Sequence, residues 1–283
     1  MTIRYEELIN LAIPDRDYCY TERDAMLYAL GTGFGADPMD SDELPFVYER
    51  GLKASPTLAT VIAWDRSWIG CSKLNWPLVV HGDQRLTIHR AIRSHGAIVS
   101  SARVSEILDK GKGKGLLVRV ETTVRDKRTG VSLWTMSSGF FARGDGGIDR
   151  VPAQGSSVHL IPDRDADTVI EAHTQPNQAL IYRLSGDMNP LHAVPQVAAQ
   201  AGFSRPLLHG LCTYGFACRA VLRAYCKFQP ERLKVFNARF SAPLFPGESM
   251  RIELWKDAEI VSFRVRCADD NRTVLDNGRA ELT

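Results

Sequence analysis

Apolar and polar residues alternate with a period of two through most of this chain, and the alternating runs fall into two batches. In the first half, residues 78–80 and 86–92, then 97–107, 115–125 and 131–142, read as half-buried strands. Turn-forming clusters at 110–115 and 127–130 separate them. In the second half, 168–173, 235–240, 249–255, 259–268 and 273–282 repeat the pattern, with breaks at Pro243, Pro246-Gly247, Lys256-Asp257 and Asp269-Asp270-Asn271. Helical spacing precedes each batch of long strands. Thr21-Glu22-Arg23-Asp24 offers an N-cap for 25–30, which stops at Gly31-Thr32-Gly33. The alanine-rich run 193–201 is a short helix closed by Gly202. Pro206 then opens a longer helix, 207 to about 225, in which Leu208, Leu211, Cys212, Gly215, Cys218, Val221, Leu222 and Tyr225 recur three and four apart. The class is α+β, with a helical stretch followed by four long antiparallel strands, given twice.

The two batches also match residue by residue in places. Setting Tyr28 against Tyr182 aligns 25–31 with 179–185 without a gap, and puts Gly33 opposite Asp187 and Pro38 opposite His192. Pro56-x-Leu58 matches Pro206-x-Leu208 and sets Thr60 against Gly210, and His81-Gly82-Asp83 matches Pro246-Gly247-Glu248. A segment rich in Gly, Pro, Ser and Asp, opening at Gly144-Asp145-Gly146-Gly147, lies between them. We therefore expect an N-terminal domain, 1–150, a linker, 151–166, and a C-terminal domain, 167–283. The first copy has the shape of the second without its acid and imidazole.

Composition narrows the function classes. Of the 283 residues, 44% are apolar and 24% charged, as in soluble globular proteins. A net charge of +2 without a dense basic stripe argues against nucleic acid, and no 18-residue apolar run suggests a membrane span. Six cysteines without a C-x-x-C pair fit reduced thiols, and the expected location is the cytoplasm. Gly31-x-Gly33-x-Gly35 follows a helical run rather than a strand, so it is not a dinucleotide loop. Lys110-x-Lys112-x-Lys114 is either a solvated hairpin tip or a phosphate contact.

The stretch from Tyr182 to His192 holds the candidate chemistry. Gly186 and Pro190 bend it, and Asp187, Asn189 and His192 fall within six residues. Asp187 and His192 are five apart, so a loop is needed to aim both at one point. Such a pair can hold a water and move a proton in each direction. The bland alternative is an Asp N-cap followed by a core histidine. Gly210 lies near the amino end of the long helix, where a backbone N–H is free of the helix ladder. His209 beside it reads as a buried structural imidazole or a competing base.

Tyr182, Leu184, Ser185-Gly186-Asp187, Asn189-Pro190-Leu191-His192 and Ala198 resemble the signature of the R-specific enoyl-CoA hydratases, the hydratase 2 or MaoC-like group. A second run, Arg205-Pro206-Leu207-Leu208-His209-Gly210-Leu211-Cys212, follows at the family's spacing. Met188 stands where the family often carries a bulky aromatic. The resemblance implies two tandem hot-dog domains, curved antiparallel sheets each wrapping a helix, and with the internal repeat it makes the N-terminal copy a degenerate, non-catalytic one whose interior is free to hold the acyl chain. It implies reversible hydration of trans-2-enoyl-CoA to (3R)-3-hydroxyacyl-CoA. Asp187 and His192 would be the catalytic pair, Asn189 their helper and the Gly210 N–H the oxyanion donor. Tyr182, Ser185, Gly186, Leu208 and His209 would line the substrate. No metal or other cofactor is required, the partner is the acyl-CoA thioester, and a homodimer is expected. Dehydration on an acyl carrier protein is the alternative, and a hot-dog thioesterase or a non-catalytic acyl-CoA-binding subunit stands behind it.

Overall fold

Ten strands form one antiparallel sheet in the computed structural model, which describes residues 4–64, 67–148 and 158–283. They are β1 (Arg16–Tyr20), β2 (Val79–Ile88), β3 (Gly96–Asp109), β4 (Leu116–Asp126), β5 (Ser132–Ala142), β6 (Thr168–His173), β7 (Leu233–Phe240), β8 (Ser249–Asp257), β9 (Ile260–Cys267) and β10 (Thr273–Leu282). Their order is β1-β3-β4-β5-β2-β7-β10-β9-β8-β6, so the two batches join edge to edge where β2 pairs with β7. Each half thus loses one exposed edge to the other. Strand β1 was not anticipated from the sequence, because Arg16 and Asp17 interrupt its short apolar pattern.

The helices are α1 (Tyr5–Ile9), α2 (Glu22–Gly31), α3 (Ala59–Ile62), α4 (Ser67–Cys71), α5 (Gln178–Tyr182), α6 (Pro195–Gln200) and α7 (Gly210–Tyr225). At the start of α2, Thr21 and Asp24 form the reciprocal cap, the Thr21 N–H donating to Asp24 Oδ2 at 2.8 Å. Along α7 the apolar stripe is buried against the sheet, with Cys212, Tyr214, Ala217, Cys218, Val221 and Leu222 fully buried. This helix begins at Gly210, not at residue 207. The Leu207 N–H donates to Leu191 O and the Leu208 N–H to Leu244 O, which holds both residues out of the helix. In the N-terminal half the corresponding stretch holds the four-residue α3 and five-residue α4, so among the described residues the long helix belongs to the C-terminal half.

One core runs through both halves, joining Tyr28, Phe34, Phe46, Leu86 and Trp134 to Tyr182, Phe216, Phe236 and Phe263. Tyr28 packs on Tyr182 with ring centroids 5.8 Å apart, so the two residues equated by the repeat meet at the join. The third repeat match does not hold. By sheet order the counterpart of β2 is β7, whereas residues 246–248 lead into β8, the counterpart of β3. Glu43, fully buried, receives both forks of Arg219 at 2.6 and 2.9 Å and ties the loop after α2 to α7. Gly33 and Gly35 form that loop with positive φ, and Gly33 lies against Phe216, which is a structural turn and not a nucleotide loop. The Lys110–Lys114 segment is a hairpin turn with Gly111, Gly113 and Gly115 at positive φ. Of the expected linker, 151–166, residues 151–157 lie outside the described ones, and 158–166 run without helix or strand up to β6.

Candidate active site

The bend between α5 and α6 is built as the composition demands. Gly186 has φ +138°, and a Cβ there would come within 3.3 Å of the Val61 carbonyl of α3. Pro190 opens a single 3-10 turn, Pro190–His192, and Asn189 caps it by accepting the Leu191 N–H on Oδ1 at 3.1 Å. The Asn189 N–H in turn donates to Asp187 Oδ1 at 3.1 Å, fixing the carboxylate. Asn189 therefore keeps its amide nitrogen for another partner.

His192 and His209 have defined tautomers. His192 Nδ1 lies 3.0 Å from the Leu207 carbonyl, which can only accept, so Nδ1 carries a proton, and in the neutral ring the lone pair is on Nε2. His209 Nε2 lies 3.1 Å from the Asp187 carbonyl and donates to it, leaving His209 Nδ1 buried without a hydrogen-bond partner. The two rings stack at 3.7 Å and 26°, and the Tyr182 ring lies 4.9 Å from that of His209. Donor atoms of Asp187, His192 and His209 all lie within 4.8 Å of one another. Such a trio is also a possible metal ligand set. Burial, and then the neighbouring His192, push the pKa of His209 down to about 3, so it is neutral near pH 7.

Gly210 is the first residue of α7, and its N–H has no acceptor among the described residues. A Cβ on it would strike the Phe240 ring at 2.8 Å, so glycine is required for this close approach. Of the other anticipated residues, Ser185 presents a buried Oγ with no partner. Leu208 and Tyr182 are core residues, the Tyr182 phenol pushed well above its usual range by burial, and His209 is committed to the Asp187 loop.

The N-terminal half contributes a residue not anticipated for the site. His81, at a bulge of β2, packs between Phe140 at 5.1 Å and Phe240 at 4.7 Å, with Trp64 beyond. Burial pushes its pKa down to about 4, against the pull of the Asp83 and Asp187 charges. Its Nε2 and the Trp64 Nε1 are buried without partners. Nothing local marks it in the sequence, because its place depends on how β2 meets β7.

A family profile described as the MaoC like domain matches residues 158–277, and one described as the MFE-2 hydratase 2 N-terminal domain matches 18–144. The peroxisomal enoyl-CoA hydratase 2 of Arabidopsis thaliana is 37% identical over 93% of this chain and 90% of its own. The crystal structure of a MaoC-like dehydratase from Phytophthora capsici superposes with TM-score 0.87 at 30% identity, covering 99% of this chain and 98% of that one. A Mycobacterium tuberculosis protein described as a double hotdog fold shares the fold at 18% identity and TM-score 0.60, over 94% and 93% of the two chains. With both halves matched in order and a relative aligned over nearly its whole length, this chain belongs to the enoyl-CoA hydratase 2 branch of the MaoC-like dehydratases.

Proposed function

We propose that this chain is a lyase that reversibly hydrates trans-2-enoyl-CoA to (3R)-3-hydroxyacyl-CoA. The observation that carries the reading is the convergence of the Asp187 carboxylate and the His192 imidazole within 4.8 Å, on a loop bonded to the start of α7. Asp187 and His192 grip one water, and Asn189 steadies it with its free amide nitrogen. As the water oxygen attacks C3 of the enoyl group, the pair removes its proton, and a proton returns to C2. Negative charge gathers on the thioester oxygen, which the Gly210 N–H meets at the positive end of α7. The N-terminal half, where α3 and α4 replace a long helix, holds the acyl chain. A cytoplasmic homodimer is the corresponding proposal for its setting.

The test is the absorbance of the conjugated enoyl-thioester band on mixing purified protein with short and long trans-2-enoyl-CoA, with free thiol followed in parallel. Loss of the band without thiol is the expected result, and thiol release instead means a thioesterase. Asp187→Asn and His192→Gln should each lower kcat on the order of 10²-fold or more, the scale for positioned acid–base groups. Near-normal rates for both would sink the assignment.

A further inference from the structure

Both imidazoles beside Asp187 are held in the way that metal-ligating histidines are. Each gives one ring N–H to a backbone carbonyl, His192 Nδ1 to Leu207 at 3.0 Å and His209 Nε2 to Asp187 at 3.1 Å. Such an outer hydrogen bond fixes the tautomer and ring orientation and makes the opposite nitrogen a better donor to an ion. On His209 that opposite nitrogen, Nδ1, is buried with no hydrogen-bond partner among the described residues. A lone pair unused on a ring only 2% exposed is an unsatisfied acceptor, and a cation is one way to satisfy it. Asp187 supplies a carboxylate, its Oδ1 steadied by the Asn189 N–H at 3.1 Å.

One donor atom from each of the three residues lies within 4.8 Å of the other two. Around a tetrahedral ion with bonds of about 2.1 Å the donors stand about 3.4 Å apart, so side-chain rotation has to close at most about 1.4 Å between any pair. Asp187 and His192 are half-buried, which leaves an ion a route in from solvent. A second trio, Glu248, Cys267 and Asp269, makes a contrast, because Arg272 and Arg205 already pair with Glu248 and take up its charge. The donor set also selects the ion. Two imidazoles and one carboxylate suit Zn²⁺, Co²⁺ and Ni²⁺, whereas Mg²⁺ and Ca²⁺ take oxygen shells. The Arg183 charge reaches His209 as well, which penalises an ion held by charge alone and favours one that bonds strongly to nitrogen.

We propose that Asp187, His192 and His209 form a site for one divalent transition-metal ion of the zinc class, and that this ion is an inhibitor rather than a cofactor. Bound there, it takes the Asp187 and His192 electron pairs that must hold and deprotonate the attacking water. The inhibition rests on the hydratase reading above, whereas the binding does not. The probe is Co²⁺, whose visible absorption reports its ligands and coordination number, titrated into the whole chelator-treated chain and into Asp187→Asn and His192→Gln. Asp187→Asn keeps an oxygen for the Asn189 N–H, so the loop retains its bond. One ion should bind per parent chain, and each variant should weaken it by at least the ~10-fold that even an outer partner of a metal ligand is worth. In parallel, Zn²⁺ and Co²⁺ should lower the parent's hydration rate on the order of 10²-fold at saturation, a chelator should restore it, and equal Mg²⁺ should leave it unchanged. No Co²⁺ binding to the parent, binding untouched in either variant, or a hydration rate that holds or rises as the site fills overturns the proposal. If the metal-free chain leaves short and long enoyl thioesters alike unchanged, the hydratase reading has failed, and the Co²⁺ titration still judges the site.

Discussion

His209 is a buried side chain that ties the start of α7 to the Asp187 loop. Its ring is 2% exposed, its Nε2 is bonded to the Asp187 carbonyl, and its pKa is held at about 3 by burial and then by His192. A folded pKa below the ordinary 6.5 means that the unfolded chain binds a proton which the folded chain refuses. Stability is therefore fully present above pH 6.5 and is lost as pH falls toward 3, by about 1.4 kcal/mol for each pH unit and each such histidine. His81, pushed down to about 4 by burial, adds to the loss over nearly the same window. Urea melts at pH 6, 5 and 4 should show this slope, and His209→Gln should flatten it by about one histidine's share. An unchanged slope would mean that His209 titrates normally in the fold. At this scale the sequence was informative where the chemistry is local. The Asp187–Asn189 turn and the Gly186 and Pro190 bend follow from residue types within reach of one another. His81 was not legible, since a histidine on a strand gains its meaning only from what lies across the sheet.

Among the elements, α7 bears the tightest constraint, and Gly215 in its middle tests it. Helix propensity alone predicts that Gly215→Ala stabilises by about 1 kcal/mol. Packing predicts the opposite, because a Cβ there would lie 2.3 Å from Thr32 Cγ2 and 3.1 Å from the Tyr28 hydroxyl. Thr32 cannot swing aside cheaply, since its hydroxyl donates back to the Tyr28 and Ala29 carbonyls at 3.0 and 3.2 Å. The overlap should win, giving a net loss of about 1–3 kcal/mol in chemical denaturation. A stabilised variant would show that α2 and α7 are not closely packed at this point. Element type was readable because long strands and an apolar helical stripe carry strong periodicity. Element ends were less so: Leu207 and Leu208 fit the helical stripe, yet their backbone N–H groups are taken by Leu191 and Leu244, which lie far off in sequence. The same limit explains the failed match of 81–83 with 246–248, where similar turn residues serve non-equivalent strands.

For the whole molecule, the β2–β7 seam and the shared core predict that the two halves unfold as one cooperative unit, although the sequence reads as two domains. Pairing at the seam runs through Leu86 opposite Phe236, both fully buried, and Phe236 stacks on Phe263 at 4.6 Å while Leu86 belongs to β2. Removing the Phe236 ring leaves a cavity touching both halves, at a cost of about 3–5 kcal/mol. Fluorescence distinguishes one unit from two, because four of the five tryptophans, Trp64, Trp68, Trp76 and Trp134, lie in the N-terminal half. If the halves unfold together, Phe236→Ala, a change in the C-terminal half, shifts the tryptophan transition as far as it shifts the far-UV circular dichroism. Were the halves independent, fluorescence would stay near its parent midpoint while part of the dichroism melted early. Coincident shifts are the expected result. They follow from the same geometry that brings His81 of one half within the field of the Asp187 charge of the other, so a seam loosened by Phe236→Ala should also lose hydratase rate before it unfolds.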